Sequence, residues 1–271
     1  MPHRKMAIVP VLLALAMLAT VAVTGCTGDD NPTPSVTSSE AAFLPNTHLS
    51  TAPDGGVLKV IESGFSYDAD VHRGSGAVQF GAILQNTSAQ RVAVWTSVFV
   101  RFLDGNGGTV RVLGKDEMQA NVPAVPPGGR MGVVGLELGQ RPDQQPLPVK
   151  IEVRVGPSTW WPVSRVKKLE ASDFKITEES AENASISFAV NCEYVGGVDD
   201  ADVMVVLRDQ SGKIVGGYQP VKSKLGLPWP SGRSQQKVLI GGVGGTGAVV
   251  ERTELYVGPT SAAIRAANEA S

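Results

Sequence analysis

The 271-residue chain has only two cysteines and three histidines. They are scattered, so a Cys/His metal centre, which needs three or four clustered ligands, is not available. His72 is the single histidine in the folded part, which leaves histidine-dependent acid–base catalysis one residue to work with. Charge is also scarce: 18% of residues are charged, against roughly a quarter in an average soluble domain. The 24 basic and 26 acidic residues give a net charge of -2, without the basic excess that nucleic-acid binding requires. Long stretches with a 3.6-residue apolar period are missing, which excludes a helical bundle. Glycine (31) and proline (18) are plentiful, and 42% of residues are hydrophobic. That combination predicts a turn-rich chain with a folded core.

The amino terminus carries the basic residues His3, Arg4 and Lys5, followed by an apolar run from Met6 to Val23. This is the pattern of an export signal. The run ends in Val23-Thr24-Gly25-Cys26, which resembles the lipobox of bacterial lipoproteins. The resemblance implies a signal peptide over 1–25, and diacylglycerol attachment (with palmitate-type acyl chains) to Cys26 as the first mature residue. Two acyl chains make a stable tether where one would bind only marginally. The alternative is an uncleaved signal anchor, because about twenty apolar residues can span a bilayer. Either way the rest of the chain is expected on the extracytoplasmic face of the cell membrane. Loss of residues 1–25 removes Arg4 and Lys5 and no acid, so 22 basic and 26 acidic residues remain, a charge of -4. Residues 26–56, rich in Ser, Thr, Pro and Asp, read as the lipidated cysteine and a disordered linker.

The remainder is an internal repeat. Ser63-Gly64-Phe65 returns as Ser172-Asp173-Phe174, and Val78, Phe80, Ala82 and Leu84 return as Ile186, Phe188, Val190 and Cys192. The Asp104-Gly105-Asn106-Gly107 turn corresponds to Asp209-Gln210-Ser211-Gly212, Pro127-Gly128-Gly129-Arg130 to Pro230-Ser231-Gly232-Arg233, and Val155-Gly156-Pro157 to Val257-Gly258-Pro259. The offset shrinks from 109 to 102 along the way. Apolar residues recur at every second position, the period of a strand with one buried face. Val92, Val94, Val98, Val100 and Phe102 are expected on one face, as are Val203, Val205 and Leu207, and Ile151, Val153 and Val155. The fold class predicted is all-β: two tandem antiparallel β-sandwiches, at 57–163 and 164–260, with a C-terminal tail at 261–271.

Both units resemble the FxLYD domain, an immunoglobulin-like sandwich of prokaryotic surface and secreted proteins. The first unit supplies Phe65 in an early strand, then Gln85-Asn86-Thr87-Ser88, Val100-Arg101-Phe102-Leu103-Asp104 and Pro126-Pro127-Gly128. The second departs further, with Val205-Val206-Leu207-Arg208-Asp209 lacking the aromatic before the aspartate. The resemblance implies an immunoglobulin-like fold and a surface location. It carries no catalytic residues.

Candidate chemistry is thin. Gly242-Val243-Gly244-Gly245-Thr246-Gly247 has GxGxxG spacing, but it leads into a predicted strand, whereas a dinucleotide site needs a helix N-terminus there. It reads as a hairpin loop. Cys192 aligns with Leu84 and reads as a core residue. Paired carboxylates at Asp68 with Asp70, Glu178 with Glu179, and Asp199, Asp200 and Asp202 fall on predicted loops; Asp200 with Asp202 is a weak calcium candidate. Trp160 and Trp161 at the unit junction can seal an interdomain contact or offer a platform to sugar or peptide. Trp229, in Pro228-Trp229-Pro230, is the better candidate for an exposed ligand contact. The expectation is a non-catalytic binding or scaffold module with no cofactor, tethered to the membrane and facing an envelope protein or glycan. The alternatives are an envelope hydrolase using loop carboxylates, or an accessory subunit of a membrane complex.

Overall fold

The computed structural model describes residues 49–51, 57–72, 75–140, 146–178, 183–220, 228–241 and 247–269. The predicted signal peptide, Cys26, most of the predicted linker, Glu179 and residues 242–246 of the glycine run lie outside these. Leu49–Thr51, inside the predicted linker, is strand β1 and pairs with the start of β2 (Val57–His72). Then follow β3 (Ser75–Asn86), β4 (Arg91–Leu103), β5 (Thr109–Val110), β6 (Met118–Val125), β7 (Arg130–Gln140), β8 (Lys150–Val155) and β9 (Thr159–Pro162). The second half has β10 (Leu169–Glu178), β11 (Asn183–Cys192), β12 (Ala201–Arg208), β13 (Ile214–Tyr218), β14 (Gly232–Gly241) and β15 (Glu254–Pro259). The predicted tail contains helix α1 (Ser261–Glu269).

All pairings are antiparallel, and the two halves share one topology. In the first, β2-β3-β7 form one sheet and β6-β4-β8 the other; in the second the sheets are β10-β11-β14 and β13-β12-β15. Each half is therefore a β-sandwich with six strands in common, strands 1-2-5 facing strands 4-3-6, and the first half adds β1, β5 and β9. The repeated turns match at the atomic level. Asp104 Oδ1 accepts from the N–H groups of Asn106 and Gly108, both at 2.8 Å, and Asp209 Oδ1 from those of Ser211 (2.9 Å) and Lys213 (3.0 Å). The Ser211 hydroxyl also donates to Asp209, and together these bonds hold its carboxyl below the usual range.

Each sandwich has its own core. In the first, Val78, Phe80 and Leu84 meet Val98, Val100, Phe102, Val153 and Val155. Phe102 receives Phe65 and Phe80 edge-on, at centroid distances of 5.3 and 6.2 Å. In the second, Ile186, Phe188, Val190 and Cys192 meet Val203, Val205 and Leu207. Every fully buried large side chain here contributes roughly 1.5–3 kcal/mol.

One expectation about facing fails and one repeat position diverges, and a backbone kink explains each. Val92 and Val94 do not share the core face of Val98, Val100 and Phe102. They belong to a separate cluster outside it, while Ala93 takes the core side. Between them Trp95 has φ +51°, a left-handed conformation that interrupts the pleat and reverses the alternation. In the second unit Asp173 has φ +51° and the β10–β11 register slips between Ser172 and Lys175. Phe174 is thereby 45% exposed, although its repeat mate Phe65 packs against the first core.

The sandwiches stack through the outer faces of the β3/β7 and β12/β13 sheets, where Ile83 and Val134 meet Met204, Val206 and Ile214. Glycines let the backbones approach. A methyl group at Gly81 would lie 2.5 Å from the Gly216 carbonyl oxygen, and one at Gly132 would lie 2.9 Å from the Tyr256 ring. Gln79 Nε2 donates to the Gly217 carbonyl at 2.8 Å, and Arg208 reaches Glu62 of the first sandwich at 2.6 Å while also binding Glu254. Burial disfavours the Arg208 charge, but these two carboxylates outweigh it and raise its pKa.

Candidate functional site

A cleft begins at the connector between the sandwiches. After β9 the chain makes one 3-10 turn, Val163–Arg165, and enters β10 at Leu169. So short a connector brings the start of β10 beside the Pro-Pro-Gly-Gly turn joining β6 to β7. Gly128, with φ +65°, makes that turn possible. The resulting cleft has a volume of about 570 Å³ and is walled by residues 126–131, 166–171 and 255–259. Its size falls within the range of ligand sites, and junctions between domains are common places for them. Val92, Ala124, Val166 and Leu169 supply apolar lining. Arg130, Lys167 and Lys168 are exposed at its margin, with Glu170 the one acid. Lys168 Nζ and Glu170 Oε1 are 4.0 Å apart, an exposed pair of little energetic weight.

Tyr256 ties this wall to the sandwich interface. Its hydroxyl donates to Glu254 Oε2, and burial, followed by that hydrogen bond, raises its pKa. Glu254 in turn binds Arg208. The cleft was not legible as a site in the sequence, because its walls come from three segments more than thirty residues apart and none carries a motif. Its one sequence signal is Lys167-Lys168 in the short connector.

The predicted site residues do not gather there. Trp229 is fully buried, with its ring 6.0 Å from Phe188, edge-on. The turn around it is pulled inward by a two-way backbone bridge to Val198, so an exposed ligand contact at Trp229 is corrected to a core plug. Trp160 packs at the margin of the first core. Trp161 lies outside it, 4.8 Å edge-on from Trp95, in the cluster that receives Ile264 of α1. The Arg265 guanidinium sits 5.6 Å over the Trp95 ring. The tryptophan pair at the junction is thus divided between a core and a helix-docking surface.

The acidic candidates also move. Asp68, Asp70 and His72 lie in β2 rather than on a loop, and Glu178 ends β10. Asp202 is in β12, where Gln219 Nε2 approaches its Oδ1 at 3.5 Å beside a second cleft of about 270 Å³. Among the described residues no three Asp, Glu, His or Cys side chains are grouped to hold a metal, and Asp200 with Asp202 gains no third ligand. Cys192 is buried at 2% exposure in the second core. Gly247 makes a turn at φ +68°, and a 3-10 turn, Val250–Arg252, comes before β15, which starts at Glu254. Among the described residues no helix is long and apolar enough to cross a membrane.

Comparison of the chain with protein families, curated proteins and solved structures finds no match.

Proposed function

We propose that this chain is a bacterial cell-envelope lipoprotein, anchored through Cys26, whose two FxLYD-like sandwiches work outside the membrane as a non-catalytic binding or scaffold module. The observation that carries the anchor is the sequence Val23-Thr24-Gly25-Cys26 closing an apolar run that follows Arg4 and Lys5. Support for the binding role comes from the joined sandwiches. Glycine contacts and the Arg208 bridge fix their relative placement, so the cleft at their junction has defined walls. A preformed surface of this kind binds without the entropy cost of ordering it first. Intact mass of the membrane-extracted protein tests the anchor. A diacylated Cys26 at the mature N-terminus is expected, and Cys26→Ala should shift the protein to the soluble fraction. An unmodified Cys26 in membrane-extracted protein would overturn the reading.

A further inference from the structure

We propose that the cleft between the sandwiches takes an extended acidic peptide segment of a partner protein, added as a strand along β15. Three observations carry this. The first is topological. In a seven-stranded immunoglobulin sandwich the last strand pairs with the strand equivalent to β15. Here the chain turns into α1 after Pro259, and the sheet order β13-β12-β15 leaves β15 at an edge. The second is how the cleft meets the strand. A cavity lying against a sheet face touches alternate residues, because side chains alternate. This cleft is lined by Leu255, Tyr256, Val257, Gly258 and Pro259 in succession, so it runs edge-on along the strand. A further stretch of the wall, Lys167 to Ala171, is also consecutive and joins the end of the connector to the start of β10, itself an edge of the β10-β11-β14 sheet.

The third observation is charge. Arg130, Lys167 and Lys168 surround the opening against one acid, Glu170, on a chain whose net charge is negative. Acidic side chains on an incoming strand complement this rim, and backbone pairing with β15 supplies affinity independent of sequence. Pro259 has no N–H, so pairing is confined to 255–258, and a segment of about six residues, roughly 20 Å long, is sufficient.

The inference rests on the binding-module reading for its biological use, but its test is separate from the anchor. An acetylated, amidated hexapeptide alternating valine and glutamate is titrated into the full chain, with amide exchange followed by residue. Saturable binding is expected, with slowed exchange confined to 255–258 and the facing 169–171. Methylating alternate peptide nitrogens of the probe should weaken binding at least tenfold. The double variant Lys167→Glu, Lys168→Glu should weaken the glutamate peptide about tenfold and strengthen its lysine counterpart, which a misfolded protein would not do. Absence of saturable binding, protection elsewhere, or equal binding of the methylated probe each overturns the proposal. Loss of peptide binding with a diacylated Cys26 leaves the anchor standing; peptide binding with an unmodified Cys26 removes only the location.

Discussion

Gln79 Nε2 donates to the carbonyl of Gly217 across the boundary between the two sandwiches, at 2.8 Å and away from solvent. The bond exists because Gly216 and Gly217 carry no side chain. A methyl at Gly216 would lie 2.9 Å from the Gln79 side chain itself. The same economy of volume recurs at Gly64 and Gly81, which face Ile214 and Gly216. Neither backbone can retreat without opening its own sheet, so the pair behaves as one body.

Gly64→Ala and Gly81→Ala should each destabilise the protein by about 1–3 kcal/mol, the usual cost of forcing extra volume into a packed interface. The obstructing atoms are backbone carbonyls rather than flexible side chains. Gly105→Ala, where the added carbon has nothing within 4 Å, serves as the control and should change stability by no more than about 0.5 kcal/mol. Urea unfolding measures all three. Equal midpoints would show that the sandwiches are not held at this distance.

Trp229→Ala should cost about 3–5 kcal/mol in the same assay, as expected for removing a buried aromatic. A tryptophan serving only as a surface contact would leave stability unchanged within about 0.5 kcal/mol. The Phe188 contact and the Val198 bridge both predict the larger figure.

Helix α1 should be docked rather than trailing. Ile264 is 1% exposed against Val92, Val94 and Ala124, and the Thr260 hydroxyl caps the helix by accepting from the Ala263 N–H at 3.2 Å. Ile264→Ala should cost about 2–5 kcal/mol, with the low end favoured because helix ends can relax. The change should also shift Trp95 and Trp161 fluorescence and speed proteolysis at the C-terminus. An unchanged emission spectrum would count against the docking.

Alkaline stability should report on two phenols. Burial raises the pKa of Tyr194, with a lesser effect of the Cys192 charge, and that of Tyr256 is raised as described above. Below the unfolded value of about 10 both states hold the proton and stability does not depend on these groups. Above it the unfolded chain ionises first, so stability falls until the folded pKa is reached, by at most about 1.4 kcal/mol per pH unit for each tyrosine. Tyr256→Phe should flatten this fall between pH 10 and 12 in urea titrations. An identical slope in the variant would show that Tyr256 ionises normally.

Much of the architecture was legible because strand alternation and turn chemistry act within a few residues. The matched turns at Asp104 and Asp209, and the placement of Cys192 opposite the Leu84 pattern, both follow from local rules. The reversal at Trp95 was not legible, since a tryptophan gives no local reason to adopt positive φ. Its conformation is held by Trp161 and α1, which are distant in sequence. The burial of Trp229 is not legible for a related reason: a Pro-Trp-Pro turn looks exposed until Phe188 and Val198 cover it. Helix α1 is not legible within the tail at 261–271 because a nine-residue helix has too few turns to declare a period by itself.

The sequence by itself determined the all-β class, the two-fold repeat, the strand faces away from the kinks, and the shortage of metal-binding and histidine chemistry. Those properties depend on composition and on spacings of two residues. Tertiary structure decided which glycines bring the sandwiches together, where the tryptophans go, and that β15, last in its sheet, lines a cleft shared with Arg130, Lys167 and Lys168. Each of these requires segments far apart in the chain to meet, and contact between distant segments is fixed by packing rather than by local pattern.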